Sequence, residues 1–205
     1  MWLLRTVIFV SLGLVWFSRP VDAQIQPPGS IEIRLATDSD LERQGRSQLE
    51  RILATYDLSR WFFTRTVQIQ SGVIPHSHPV LTLNTNSLTN DTIKLKSFIH
   101  EQLHWFLSRH HAATDSATTE VLQLYPHVPS ESTGGAADPQ STYLHLLLGV
   151  LELDALQELF GEATARRSLG RTPFYTWIYR EVLERPEPIR NILRKYRLES
   201  PDARR

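Results

Sequence analysis

Few arrangements can accommodate residues 140–160. Asp138-Pro139 ahead of them reads as an N-cap followed by proline at the first helical position, and Gly161 reads as the C-terminal stop. Between these signals, Leu144, Leu146, Leu147, Leu148, Val150, Leu151 and Leu153 leave little of the helix surface polar. The pattern predicts a central helix packed on several sides at once. His145 and Glu152 break its apolar surface. Seven steps of about 100° return to within about 20° of the starting direction, so these two residues share one face. Gly149 lies between them and leaves room for the approach of another helix or a substrate. Burying an ionised Glu and a His among leucines is costly unless something compensates them. A cation would do so directly, and so would a hydrogen bond or ion pair inside the core.

Ahead of this helix the pattern is mixed. The alternation in 31–35 predicts a half-buried strand. Asp38 or Ser39 then caps a helix whose stripe is Leu41, Leu49, Ile52 and Leu53. Strands follow at 66–70 and 80–84, separated by a turn or loop that contains Gly72, Pro75 and Pro79. Asn90 or Asp91 starts a helix that runs to about Arg109, with Ile93, Leu95, Phe98, Ile99, Leu103, Phe106 and Leu107 as its buried side. Residues 110–139 turn polar and loop-like, apart from a short helix around 115–124. A loop of this length is expected to be functional or mobile, with Gly134-Gly135 as a hinge. Two further helices are expected at 174–184 and 187–198. The expectation is an α+β fold with a small N-terminal mixed sheet, a chemistry-bearing helix behind it and a helical C-terminal half.

That chemistry lies in Phe98-Ile99-His100-Glu101-Gln102-Leu103-His104, which contains H-E-x-x-H inside a sequence that already reads as helix. His100 and His104 are one turn apart, so both imidazoles project from one face and can converge on a single cation, with Glu101 beside them. The chain has no cysteine, which excludes thiolate zinc sites, iron–sulfur clusters, cysteine nucleophiles and disulfide scaffolds. Any metal is therefore held by His and carboxylates. Zn2+ suits two neutral imidazoles plus a third protein ligand, with one position left for water whose pKa falls to about 7. Glu101 is then placed to take the proton and deliver it to a leaving group.

These residues resemble the zincin metallopeptidases, in particular the gluzincin branch, in which a Glu on a later helix is the third zinc ligand. The resemblance covers residues 100–104 and the helix around 143–154, and it implies metal ligation by His100, His104 and Glu152. In members related to anthrax lethal factor, a tyrosine seven residues before the ligand Glu stabilises the oxyanion. Here His145 stands at that offset. It is the first candidate for polarising the substrate carbonyl, and it could equally replace Glu152 as third ligand. The resemblance also implies that the strand at 80–84 is the sheet edge that pairs with an extended peptide substrate, since a free edge offers unpaired backbone groups. His76-Ser77-His78-Pro79 and residues 100–105 are further similar to a family of uncharacterised exported bacterial proteins.

With 22 basic and 22 acidic residues, the chain lacks the electrostatic attraction that nucleic-acid binding relies on. Nucleic acid is not an expected partner; a peptide or protein substrate is. Residues 1–23 read as a secretion signal. Arg5 precedes an apolar run that is too short to cross a bilayer comfortably, and the Val21-Asp22-Ala23 cleavage pattern follows. The remaining 24–205 form a single secreted or periplasmic domain with no stable membrane insertion after cleavage. His76 and His78 could hold a second metal, and Tyr175 and Tyr179 serve as core packing or as an oxyanion-stabilising phenol. The function expected is zinc-dependent peptide hydrolysis. The alternative is an exported zincin-like protein that binds a metal or a peptide without catalysis.

Overall fold

The three strands among the described residues are short, and the first two are each followed by a segment that returns the chain to the same end of the sheet. The structure, a computed structural model, describes residues 30–199; the expected secretion signal at 1–23 lies outside them. Strand β1 (Glu32–Leu35) leads into helix α1 (Asp40–Thr55), which starts at Ser39, whose hydroxyl accepts from the Glu42 backbone N–H. Strands β2 (Thr66–Ile69) and β3 (Leu81–Leu83) complete a sheet of order β1-β2-β3. All of its pairings are parallel, with Ile33 opposite Val67 and Ile69 opposite Leu83. The sheet is therefore not the mixed one expected from the sequence. α1 serves as the crossover that parallel β1 and β2 require. The only antiparallel pairing among the described residues is a single bridge between His76 and Thr82, formed where the 70–80 loop doubles back along β3.

Helix α2 (Asp91–Arg109) follows the expected bounds and is capped by Asn90, whose side chain accepts from the Ile93 backbone N–H. Its apolar side buries Leu95, Phe98, Ile99, Leu103, Phe106 and Leu107. Helix α3 (His111–Leu124) begins directly after it, where the sequence suggested mostly loop. The reason lies in its buried stripe, Thr114, Ala117, Thr118 and Val121, which has helical spacing but almost no large apolar residue. The threonine hydroxyls are satisfied locally: Thr114 donates to the Leu107 carbonyl and Thr118 to the Thr114 carbonyl. The remaining connection is pinned. Ala136 N–H donates to Thr142 and Trp177 N–H donates to the Gly134 carbonyl. A Cβ on Gly135 would lie 2.1 Å from the Pro129 carbonyl oxygen, so the expected hinge is a tightly packed turn.

Helix α4 (Pro139–Phe160) is the predicted central helix, capped by Asp138 and ended by Gly161 at φ +78°. Helices α5 (Glu162–Gly170), α6 (Thr176–Glu184) and α7 (Pro186–Lys195) pack around it together with α2 and α3. α5 went unread because only Ala165 and Leu169 face inward from it. The gap at Gly149 is taken up by α6: a Cβ there would lie 2.9 Å from Val182 Cγ2. It accommodates a helix, which leaves no space for substrate at that point.

A buried carboxylate fastens the loop ends on the α1 side. Glu42 accepts from Thr37 N–H (2.8 Å), the Thr37 hydroxyl (3.1 Å) and Ser71 N–H (3.2 Å), which ties the β1–α1 turn to the start of the 70–80 loop. Burial opposes its ionisation, but these donors prevail and hold its pKa below the ordinary Glu value. A lowered folded-state pKa gives stability that is present above the unfolded value and is lost as pH falls through the folded one. Glu42→Gln is expected to unfold about 2 kcal/mol more easily than wild type at pH 7. In urea titrations that difference should begin to shrink below about pH 4 and close as pH falls through the lower folded-state value.

Candidate metal centre

α2 and α4 pack face to face, and the helix periodicities place their polar residues on the shared seam. His100 and His104 project from α2 and His145 from α4. The ring centroids are separated by 5.0 Å (His100–His104), 5.1 Å (His104–His145) and 5.6 Å (His100–His145). One nitrogen from each ring lies within 4.8 Å of the other two. Among the described residues this is the group of three or more His, Asp or Glu that converges closely enough to hold a cation.

Hydrogen bonds set the ring orientations. His145 Nδ1 is 2.7 Å from the Ser141 carbonyl oxygen. A carbonyl only accepts, so Nδ1 carries the proton and Nε2 is left with a lone pair. His100 Nδ1 lies 3.1 Å from Glu152 Oε2, which also accepts from the Tyr179 hydroxyl at 2.8 Å. Glu152 is fully buried, and its Oε1 has no hydrogen-bond partner. Lys96 lies one turn before His100; its ammonium donates to the Thr172 hydroxyl at 2.7 Å and acts electrostatically on Glu152.

The electrostatics divide the imidazoles. Burial pushes His104 down to about 2 and His145 down to about 4, with the charge of His100 adding to both, so these two rings are neutral near pH 7. Burial also opposes a charge on His100, but the Glu152 charge and hydrogen bond outweigh it and raise its pKa. Glu152 itself is held below the ordinary range: burial works against its ionisation, and His100, Lys96 and Tyr179 overcome it. Glu101 is only 6% exposed, and its carboxyl is raised, first by burial and then by Glu152, against the opposing influence of His100 and His76.

The 70–80 loop supplies the outer wall. Trp105 donates its indole N–H to the Ser77 carbonyl at 2.8 Å, and its ring stacks on His78 at 4.2 Å. His76 holds the Ile74 carbonyl through Nδ1 at 2.9 Å, and its backbone exchanges hydrogen bonds with Thr82 at 2.8 and 3.1 Å. Neither His76 nor His78 joins the converging group. The outer side of β3 at Thr82 is thus covered by the chain's own residue 76, and the edge expected to receive a peptide is not free there.

Of the two tyrosines, Tyr179 is buried against Glu152. Tyr175 stands in the left-handed region at φ +56° just before α6, its ring 4.4 Å from His145 and 6.4 Å from His100. Its phenol feels the charge of Glu101. Lys96 and Ser141 were not singled out by the sequence reading, although each lies one turn from a histidine on the same helix face, four residues before His100 and His145 respectively.

The donor set fits a tetrahedral ion. Imidazole nitrogens about 2.1 Å from one zinc put the ring centroids about 5 Å apart, close to the spacings observed. Comparison of the chain with protein-family models, with curated proteins and with solved structures finds no match.

Proposed function

We propose that the chain is an exported, zinc-dependent metallopeptidase of zincin type. The observation that carries this reading is the meeting of both histidines of H-E-x-x-H with a third donor from α4, beside a nearly buried Glu101. His100, His104 and a residue of α4 hold the ion. When bound, zinc supplies Lewis acidity and makes water acidic enough to lose a proton near neutral pH.

The rest of the chemistry belongs to the chain. Glu101 receives the proton as the new C–O bond forms and returns it to the amide nitrogen as the C–N bond breaks, so one water is added across the peptide bond. Burial, which raises its pKa, works in favour of its holding that proton between the two steps. The negative charge that builds on the carbonyl oxygen needs a donor. His145 is unsuited to that role, because its one N–H is committed to Ser141 and its burial keeps it neutral. Tyr175 takes it: its phenol remains protonated, since burial raises its pKa first and Glu101 adds to the effect. A substrate chain lies along the 70–80 loop, because β3 is covered at Thr82. Export rests on residues 1–23.

The test is hydrolysis of an unfolded protein such as casein. Activity should disappear on chelation and return with zinc; persistence of full activity without metal overturns the reading. Tyr175→Phe should lower kcat by about 10²-fold, the usual cost of one oxyanion donor, with KM little changed.

A further inference from the structure

We infer that His145 is the third metal ligand and that Glu152 is a positioning residue, so that the site is a three-imidazole centre backed by a buried anion. The inference rests on the reading above that a divalent cation occupies the cluster, and it departs from the gluzincin ligand set on the following geometry. Glu152 Oε2 already accepts from His100 Nδ1 and from the Tyr179 hydroxyl. The two nitrogens of an imidazole point away from each other. A carboxylate seated on Nδ1 of His100 therefore stands on the far side of the ring from an ion held at Nε2. Moving Glu152 to the ion would strip a partner from the buried Tyr179 hydroxyl and leave His100 Nδ1 without its acceptor.

His145 shows the opposite condition. Its Nδ1 proton is anchored on the Ser141 carbonyl, its Nε2 carries a free lone pair, and its ring completes a nearly equilateral triangle with His100 and His104. Seven residues of α4 span about 10 Å along the helix axis, so His145 and Glu152 serve different levels of the seam. Glu152 meets His100 and feels the charge of Lys96, while His145 meets both histidines. The arrangement is a carboxylate–histidine–metal relay, in which the acid fixes the tautomer and orientation of His100 and compensates charge without ligating the ion.

The experiment loads the full chain with zinc and, separately, with cobalt(II). It counts imidazoles by X-ray absorption and measures affinity by competition with a chelator. Wild type is expected to show three imidazoles. Glu152→Gln should keep all three and lose about 10–100-fold in affinity. His145→Ala, and His145→Gln as a variant closer in volume, should show two imidazoles, a changed cobalt visible spectrum and affinity at least about tenfold below that of Glu152→Gln. A wild-type shell of two imidazoles plus a carboxylate overturns the assignment, as does loss of the ion from Glu152→Gln with retention by folded His145→Gln. A wild type that binds no metal overturns this inference and the peptidase reading together. Three imidazoles in a protein that cleaves nothing leave the assignment standing and remove only the activity.

Discussion

Glu101→Gln should retain the metal at wild-type affinity and lose hydrolysis by about 10²–10⁴-fold, the range that a positioned general base contributes. The amide has the shape of the acid and no capacity to take a proton. Glu101 neighbours the ligands without belonging to the converging donors, so metal content should be unchanged when measured beside turnover. The same residue sets the acid limb of the pH profile. Activity needs the deprotonated carboxylate, and burial raises the Glu101 pKa. Activity should therefore fall as pH drops, through a value set by burial, which raises it, against the bound cation, which lowers it. Should Glu101→Gln and wild type bind metal alike and hydrolyse nothing alike, the protein is a metal- or peptide-binding zincin-like module instead of an enzyme.

Gln102→Leu should cost about 3 kcal/mol of stability, a large share of what a domain of this size possesses. Gln102 occupies one of the free positions of H-E-x-x-H and is fully buried. Its Oε1 accepts from Phe63 and Thr64 N–H, and its Nε2 donates to the Thr64 carbonyl, each at 2.8 Å. Leucine fills similar space and leaves the Thr64 N–H and carbonyl without this partner, while the Phe63 N–H keeps its bond to the Trp61 carbonyl at 3.2 Å. Thr64 is half-buried, so water recovers part of the loss, which is why the expected cost is below the upper end for two fully buried groups. The measurement is urea unfolding, with a lower midpoint at unchanged m-value. A cost under about 1 kcal/mol would mean that the segment before β2 finds other partners and that Gln102 does not fasten it to α2.

The legible and illegible parts of this chain differ in kind. α2 and α4 were readable because large apolar residues repeat at helical spacing between strong caps, Asn90 in one case and Asp138-Pro139 with Gly161 in the other. α3 was not, because Thr114, Ala117 and Thr118 bury one face without looking apolar. The sheet direction was also hidden: a strand's sequence records which face is buried but carries no sign of whether its neighbour runs with or against it. In the site, His100, Glu101 and His104 were found from spacing on a single helix. Tyr175 stands out only as one of a pair of tyrosines four residues apart, with core packing and an oxyanion role both open, and Lys96 carries no comparable pattern; both gain their meaning from what stands opposite them.

The amino-acid order by itself determined that two helices would each present a polar stripe within an apolar surface, and that two imidazoles on one of them would point the same way with a glutamate alongside. That much follows from the pitch of a helix, which is a local property. Which residue of the second stripe would stand at the level of those imidazoles, and which would sit behind one of them, was decided only by how α4 slides and turns against α2. Axial offset and rotation between packed helices depend on every side chain in the seam, here on Gly149 letting α6 close in and on Tyr179 reaching Glu152 from α6. No spacing within either helix encodes them.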